Sequence, residues 1–595
     1  MKNIQEKPSL ADIYKKLKSL EKEKLKDIRI QILRNITIHP IEPFIKYYCA
    51  NSGYNSLIKF GEFDTILQDA NNISDDIVII FLTLENFSKN LHCKFNSLSE
   101  NQIKNEIQHV IDYIQTTISM IRKKSGSPII FTDFIEPIFP SYGLLDCSIL
   151  KGEKHNIQKL NFELRNLVST NHGVFILPLN QIANKIGHNN FFDIRQWYLS
   201  TLPYSKDGLQ EIAKLISVFV SSLNGSNKKC LVLDCDNVLW GGILGEDGPD
   251  GIKIDKNFPG SEYYSFQNEI LNLYNRGIIL TLCSKNNEKD VIDLLNSNSN
   301  ILIKEKHLSA YRINWQEKDK NIVELSNELN ISLDSMVFID DSKFEIELIK
   351  QSLPMVETID LSEVNALKFA MTLKEYRGFD SLSISQEDKK RGIMYKEQAK
   401  RNSANVSFTN LEDYLNFLEI ELNIQIIDNT QISRVAQLTQ RTNQFNLTTK
   451  RYSESQIKEL KIKKNSDIFT LKVKDKFGDL GIVGAAIILY DNQNNAIIEN
   501  LLISCRALGR KIEFIFVAEI YKFLLNSRMK KEVFGIYKSS EKNSQTSDFY
   551  KNFGNLVKQS SLEKFINHSN SKIFIFDLEK PNNVSKLKFK VSVNI

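Results

Sequence analysis

Apolar and polar positions along the chain follow two habits that change at two places. Up to about residue 222, short apolar runs (IRIQIL from 28, IVIIFLTL from 77, PIIFTDF from 128, VFILPL from 174) are separated by stretches of helical periodicity, the first over 10–25 and the last over 209–220. Strands that alternate with helices predict a parallel sheet covered by helices, hence an α/β domain. From 228 to about 380 the alternation resumes in CLVLDCD (230–236), GIILTLC (277–283) and MVFIDD (336–341). From about 405 it gives way to a helix near 432–438, three strand-like runs (SDIFTLKVKD, GIVGAAIILY, AIIENLLIS) and a helix over 511–525, an α+β pattern. Two polar stretches read as joints: SLNGSNKK at 222–229, and the charge-dense 385–404, expected to be a solvated connecting helix. The expected domains are therefore 1–222, 228–380 and 405–595.

Composition narrows the class. Hydrophobic residues at 42% and charged residues at 25% belong to a folded globular chain. Lys and Arg number 77 against 72 Asp and Glu, and the net +5 is too small to indicate a nucleic-acid or membrane partner. The longest apolar run, 77–84, is far short of the ~18 residues of a membrane span, and the charged N-terminal segment lacks the apolar stretch of a secretory signal. A cytoplasmic location is expected. Seven cysteines without a CxxC pair (Cys49, Cys93, Cys147, Cys230, Cys235, Cys283, Cys505) make neither a disulfide framework nor a zinc site.

Candidate chemistry lies at 234–341. Asp234 and Asp236 follow an apolar strand two residues apart, so both project to one side at the rim where open α/β sheets bind ligands. Paired carboxylates there suggest a hard cation or a shared proton. The second strand ends in Ser284-Lys285-Asn286, the third in Asp340-Asp341, and Lys318 stands just before a helical run. Acidic strand ends with a hydroxyl and a lysine suit Mg²⁺ and a phosphate. Asp234 would attack phosphorus, Asp236 would protonate the leaving oxygen and then deprotonate water, and Ser284 and Lys318 would stabilise charge. Asp234, Asp236 and Asp340 or Asp341 are the expected metal ligands. This reading requires Asp234 to share a hollow with Asp340 and Asp341. The intervals 237–276 and 285–317 are too short for a cap domain, so the mouth should be open to a bulky or carrier-tethered substrate.

In the third block, RALGRK (506–511) joins a strand to an amphipathic helix, and a helix N-terminus offers backbone N–H groups to a pyrophosphate or phosphopantetheine. Arg506 and Gly509 are the candidates for that contact, and Cys505 precedes them. With SQTSDFYKNFGN at 544–555, the block resembles the GNAT acetyltransferase fold, from which Lys511 departs where that fold has a small residue.

The order DxDxV, Ser, Lys, DD resembles the haloacid dehalogenase (HAD) superfamily. CLVLDCDNVLWGGILGEDG, LCSKNN, INWQEKDKNI, FIDDSKFE, TQRTNQFNLTTKRY and SCRALGR together resemble the FkbH-like family, HAD subfamily IIIC. The resemblance implies an SGNH- or flavodoxin-like α/β first domain, without the catalytic histidine of that class at 204–213. A HAD Rossmann-like centre without a large cap and a GNAT-like C-terminal domain follow. It also implies loading of a glyceryl unit from 1,3-bisphosphoglycerate, a phosphorylated three-carbon substrate, onto an acyl carrier protein with dephosphorylation, in routes that feed polyketides. A thiol, Cys505 or Cys283, would hold the acyl group, and Asn443 would belong to the acyl-transfer half. Implied cofactors are Mg²⁺ and carrier-bound phosphopantetheine or coenzyme A. Lys285 and Asn286 would bind substrate beside Ser284. Two other classes stay open: a plain Mg²⁺ phosphatase with a structural third block, and a carrier-docking scaffold with a silent site.

Overall fold

The computed structural model describes residues 8–20, 25–384, 392, 394, 395, 397, 401, 404, 408, 410–442, 444–540, 543–557, 571–577 and 587–594. The chain divides into two compact units, residues 1–221 with 453–456, and residues 222–452 with 457–595. In the first, strands β1 (Lys26–Arg34), β2 (Tyr54–Phe63), β3 (Ile77–Phe81), β4 (Ile129–Thr132) and β5 (Val174–Leu177) pair in parallel in the order β2-β1-β3-β4-β5. That is the flavodoxin-like order. The β3 run IVIIF is buried at every position because helices cover both faces of the sheet.

The second unit holds two sheets. Strands β6 (Cys230–Leu233), β7 (Ile279–Ser284), β8 (Leu308–Ile313), β9 (Met336–Asp340) and β10 (Glu357–Asp360) form a parallel sheet ordered β10-β9-β6-β7-β8. Its two faces bury separate apolar clusters: Leu231, Leu233, Val337 and Ile339 on one, and Cys230, Val232, Met336 and Phe338 on the other. Between β6 and the helix Ser261–Asn275 stands only a short flap, with bridges Asp236–Trp240 and Gly241–Lys253 and a helical turn over Leu244–Gly251. No cap domain is inserted there.

The other sheet runs β16-β17-β15-β14-β13-β12-β11-β18, from β11 (Glu421–Ile426), β12 (Ser466–Asp475), β13 (Gly478–Tyr490), β14 (Ala496–Ile503), β15 (Val533–Lys538), β16 (Gly554–Val557), β17 (Ser571–Phe576) and β18 (Lys590–Asn594). Strands β11 to β14 are antiparallel neighbours. The helix Ile512–Asn526 then crosses to β15, which pairs in parallel with β14 over Ala496–Ile498 while β14 runs on to Ile503. This mixed sheet with one crossover helix is the GNAT-like arrangement expected.

One expectation is corrected. The 385–404 segment is not solvated throughout: Arg401 is fully buried with Nε and Nη2 each 2.7 Å from the Asp475 carboxylate, and Met394 and Tyr395 are buried too. A charge-dense sequence hides this because the arginine's burial depends on an aspartate 74 residues away.

Candidate active site

Strand β6 delivers Asp234 one residue past its end, and the Asp234 N–H donates to the Ile339 carbonyl at 3.2 Å, which ties it to the neighbouring β9. Asp340 closes β9, and Lys318 is the first residue of the helix Lys318–Leu329. Lys318 Nζ lies 2.6 Å from Asp340 Oδ2 and 3.1 Å from Asp234 Oδ2. Carboxylate oxygens of Asp234, Asp340 and Asp341 sit within 4.8 Å of one another, so the shared hollow exists.

Three carboxylates against one ammonium leave two negative charges when all are ionised. Burial first, and then the neighbouring Asp234, push the Asp340 carboxyl up to about 7 against the pull of Lys318. Asp341 is raised for the same two reasons, burial first. Burial alone would lower Lys318, but Asp234 and Asp340 outweigh it and hold the ammonium above the usual lysine range. Asp234 Oδ1 is buried and has no hydrogen-bond partner. A buried oxygen without a donor, amid surplus negative charge on hard oxygen ligands, fits a divalent cation held by Asp234, Asp340 and Asp341.

Asp236 does not join that cluster, which corrects its expected role as a side-chain metal ligand. Its Oδ1 accepts from Trp240 Nε1 at 2.9 Å and the Leu244 N–H at 3.0 Å, and its Oδ2 accepts from Asn286 Nδ2 at 2.8 Å. The flap that carries Trp240 and Leu244 thus aims the carboxylate. Asn286 also reaches Ser284 Oγ at 3.3 Å, so both enter the site. Lys285 does not: its Nζ is 2.7 Å from Glu345 Oε1. Strand alternation explains the split, since 284 and 286 share a side that 285 does not.

Cys283 is fully buried, its thiol is driven far up by burial, and Sγ lies 3.7 Å from the Lys318 carbonyl. That removes it as an acyl carrier. Cys505 is half-buried on the turn Cys505–Ala507 after β14, and its carbonyl accepts from Asn330 Nδ2 at 3.3 Å. Cys505 and Arg506 line a cavity of about 310 Å³. Of the RALGRK turn, Gly509 (φ 79°) and Lys511 (φ 58°) take left-handed backbone conformations, and Arg510 turns inward to Asp475 Oδ2 at 3.2 Å. Burial lowers Arg510 to about 10. Glu513 is buried in the first turn of the following helix, where an anion was expected, and burial raises its carboxyl to about 7. Asn443 lies outside the described residues. Missed by sequence reasoning were Trp240 and the Arg434, Gln437 and Arg441 face of the helix Ile432–Arg441; the i, i+3, i+7 spacing of those three was the available signal.

A parallel sheet with acidic strand ends around one buried lysine defines a HAD-type phosphatase domain. Residues 229–358 match the family model of NLI interacting factor-like phosphatases, and residues 44–220 match that of the FkbH N-terminal domain. The chain therefore carries an FkbH-type N-terminal domain followed by a HAD-like phosphatase domain. Among solved structures, the N-terminal part of protein BF1531 from Bacteroides fragilis, containing a phosphatase domain and complexed with Mg, is 26% identical; the match covers 62% of this chain and 99% of that one, with a TM-score of 0.57. SpeG spermidine N-acetyltransferase from Vibrio cholerae is 11% identical over 26% of this chain and 93% of its own, with a TM-score of 0.21. No curated protein sequence matches.

Proposed function

We propose that this chain is a Mg²⁺-dependent phosphatase coupled to acyl transfer, which loads a glyceryl unit from 1,3-bisphosphoglycerate onto an acyl carrier protein and removes the phosphate. The observation that carries the phosphatase half is the buried, unpartnered Asp234 Oδ1 within the Asp234, Asp340 and Asp341 cluster. Mg²⁺ held by these three carboxylates would neutralise charge on the phosphoryl oxygens. An Asp234 oxygen attacks phosphorus, a P–O bond to Asp234 forms, and the bond to the substrate oxygen breaks. Asp236, aimed by Trp240, Leu244 and Asn286, gives that oxygen its proton. Asp236 then takes a proton from water as the water oxygen attacks phosphorus, which frees Asp234 and phosphate. Ser284 and Lys318 hold the transferring group.

Cys505 supports the transfer half as the acceptor thiol, since it lies half-buried in a cavity wall while Cys283 is sealed in the sheet. The open mouth left by the short flap suits a carrier-tethered substrate. Seven free thiols agree with a cytoplasmic setting, and no helix among the described residues is long and apolar enough to cross a membrane.

The test incubates the protein with Mg²⁺, 1,3-bisphosphoglycerate and a phosphopantetheinylated carrier protein, then weighs the intact carrier. A glyceryl adduct without phosphate is expected, and Cys505→Ala should abolish it. Phosphate release with an unmodified carrier would reduce the function to that of a plain phosphatase.

A further inference from the structure

The helix Ser261–Asn275 follows the flap and leads into β7. Two of its residues one turn apart, Tyr263 and Gln267, hold the flap on either side of Trp240. Gln267 Nε2 donates to the Leu239 carbonyl at 2.7 Å. Tyr263 closes the space beside Gly241, where an added Cβ would come within 2.8 Å of a ring carbon. Residues spaced i, i+4 share one helix face, so one face meets Leu239 and Gly241 together.

Gln267 reaches in a second direction as well. Its Oε1 accepts from the Leu302 N–H at 2.8 Å and from the Ile303 N–H at 3.1 Å, on the approach to β8. The side chain is fully buried, and Leu239, Trp240, Phe266 and Ile303 belong to the apolar cluster on that face of the sheet. An amide in such surroundings costs more than a leucine would unless its polar atoms are bonded. The partners also fix its orientation, because two of them only donate and the third only accepts. Gln267 therefore ties the flap and the 302–303 segment to one helix with a single side chain.

The tie leads directly to the acid/base residue. The Leu239 N–H donates to the Cys235 carbonyl at 2.8 Å, so the flap folds back on the residue between Asp234 and Asp236. Both donors to Asp236 Oδ1, Trp240 Nε1 and the Leu244 N–H, lie on the flap beyond Leu239. Asn286 alone holds Oδ2. A flap that shifts relative to the helix would carry two of these three hydrogen bonds with it, and small errors in the placement of a reacting group are expensive.

We propose that Gln267 is a positioning residue for the phosphatase reaction, which acts through Leu239 and Trp240 to aim Asp236 at the leaving oxygen. This rests on the phosphatase reading above and deepens it. In the first transfer an Asp234 oxygen bonds to phosphorus, the bond from phosphorus to the leaving oxygen breaks, and that oxygen takes the Asp236 proton. The need for that proton rises with the basicity of the leaving group. Loss of Gln267 therefore penalises basic leaving groups selectively, whereas a purely structural residue would affect all substrates alike.

The test compares kcat/KM, which reports the first transfer, for phenyl phosphate and dinitrophenyl phosphate in the full chain with Mg²⁺. Gln267→Met keeps the volume and removes the amide. It should lower kcat/KM for phenyl phosphate about tenfold or more and that for dinitrophenyl phosphate by less than about twofold. Trp240→Phe removes the last donor of the relay and should show the same selectivity. If Gln267→Met loses cooperative melting, Gln267→Glu replaces it, since the carboxylate keeps an acceptor for the Leu302 and Ile303 N–H groups. Equal losses on the two substrates, or none on either, in a variant that melts cooperatively would overturn the proposal. Asp236→Asn separates this from the reading beneath it: that variant should show the selectivity most strongly, and its absence there would refute Asp236 as the acid, whatever Gln267 does.

Discussion

At the carboxyl ends of β6 and β9 three carboxylates crowd a single lysine, whereas at their amino ends four cations face one carboxylate. The same two strands feed both places. In a parallel sheet the following helices start at the carboxyl ends and finish at the amino ends, so their dipoles give the two rims opposite character. Lys318 opens a helix in the first site, and Arg441 closes a helix in the second, where a cation suits the helix C-terminus. The carboxylates assemble a place for a cation and, through it, for phosphate. The arginines gather the opposite charge. One unit thus contains two rims of opposite electrostatic character.

Breaking the first end should have the largest effect. Asp234→Asn removes the proposed nucleophile and should lower Mg²⁺-dependent phosphate release from an aryl phosphate by at least ~10³-fold. Retained phosphate release would show that another group performs the chemistry.

Next in size is Lys318→Met. It strips the buried Asp234 and Asp340 carboxylates of their shared cation, and should cost about 3–5 kcal/mol of stability in metal-free protein. Urea denaturation in the presence of EDTA measures this, and added Mg²⁺ should restore part of the loss. An unchanged transition would mean that the cluster carries little charge.

The smallest effect concerns Glu513, which sharpens the comparison because it is a lone buried carboxyl on which the nearby Lys511 charge acts only weakly against burial. Burial raises its carboxyl from 4.5 to about 7, and Oε2 has no hydrogen-bond partner. The folded state therefore holds the proton more tightly than the unfolded chain does, so stability falls as pH rises from about 4.5 to 7 and stays lower above that. Glu513→Gln should gain on the order of 2 kcal/mol at pH 8 and almost nothing at pH 4, read from urea transitions at the two pH values.

Legibility in the sequence followed burial. The interior strands β3, β4, β6, β7 and β9 are continuous apolar runs and stand out. Strands β2, β8 and β10 lie at sheet edges, with broken burial patterns or short lengths, and no apolar run announced them. Within the site, Asp234, Ser284, Lys318 and Asp340 were readable because each sits at the end of such a run or the start of a helix. Lys285 was misplaced by one step of alternation, and Asp236 was separated from the metal cluster by the flap residues Trp240 and Leu244.

The sequence by itself determined the strand ends: which residues close β6, β7 and β9, and therefore which carboxylates meet at one rim, because neighbouring strands of a parallel sheet bring their ends together. Only the tertiary structure decided the rest. The cavity around Cys505 draws Lys229, Arg441 and Arg506 from segments separated by more than 200 and by 65 positions, and the buried pair Arg401–Asp475 spans 74. No local pattern encodes such meetings. They depend on how two sheets pack, and the cost of burying charge then selects which distant partners satisfy it.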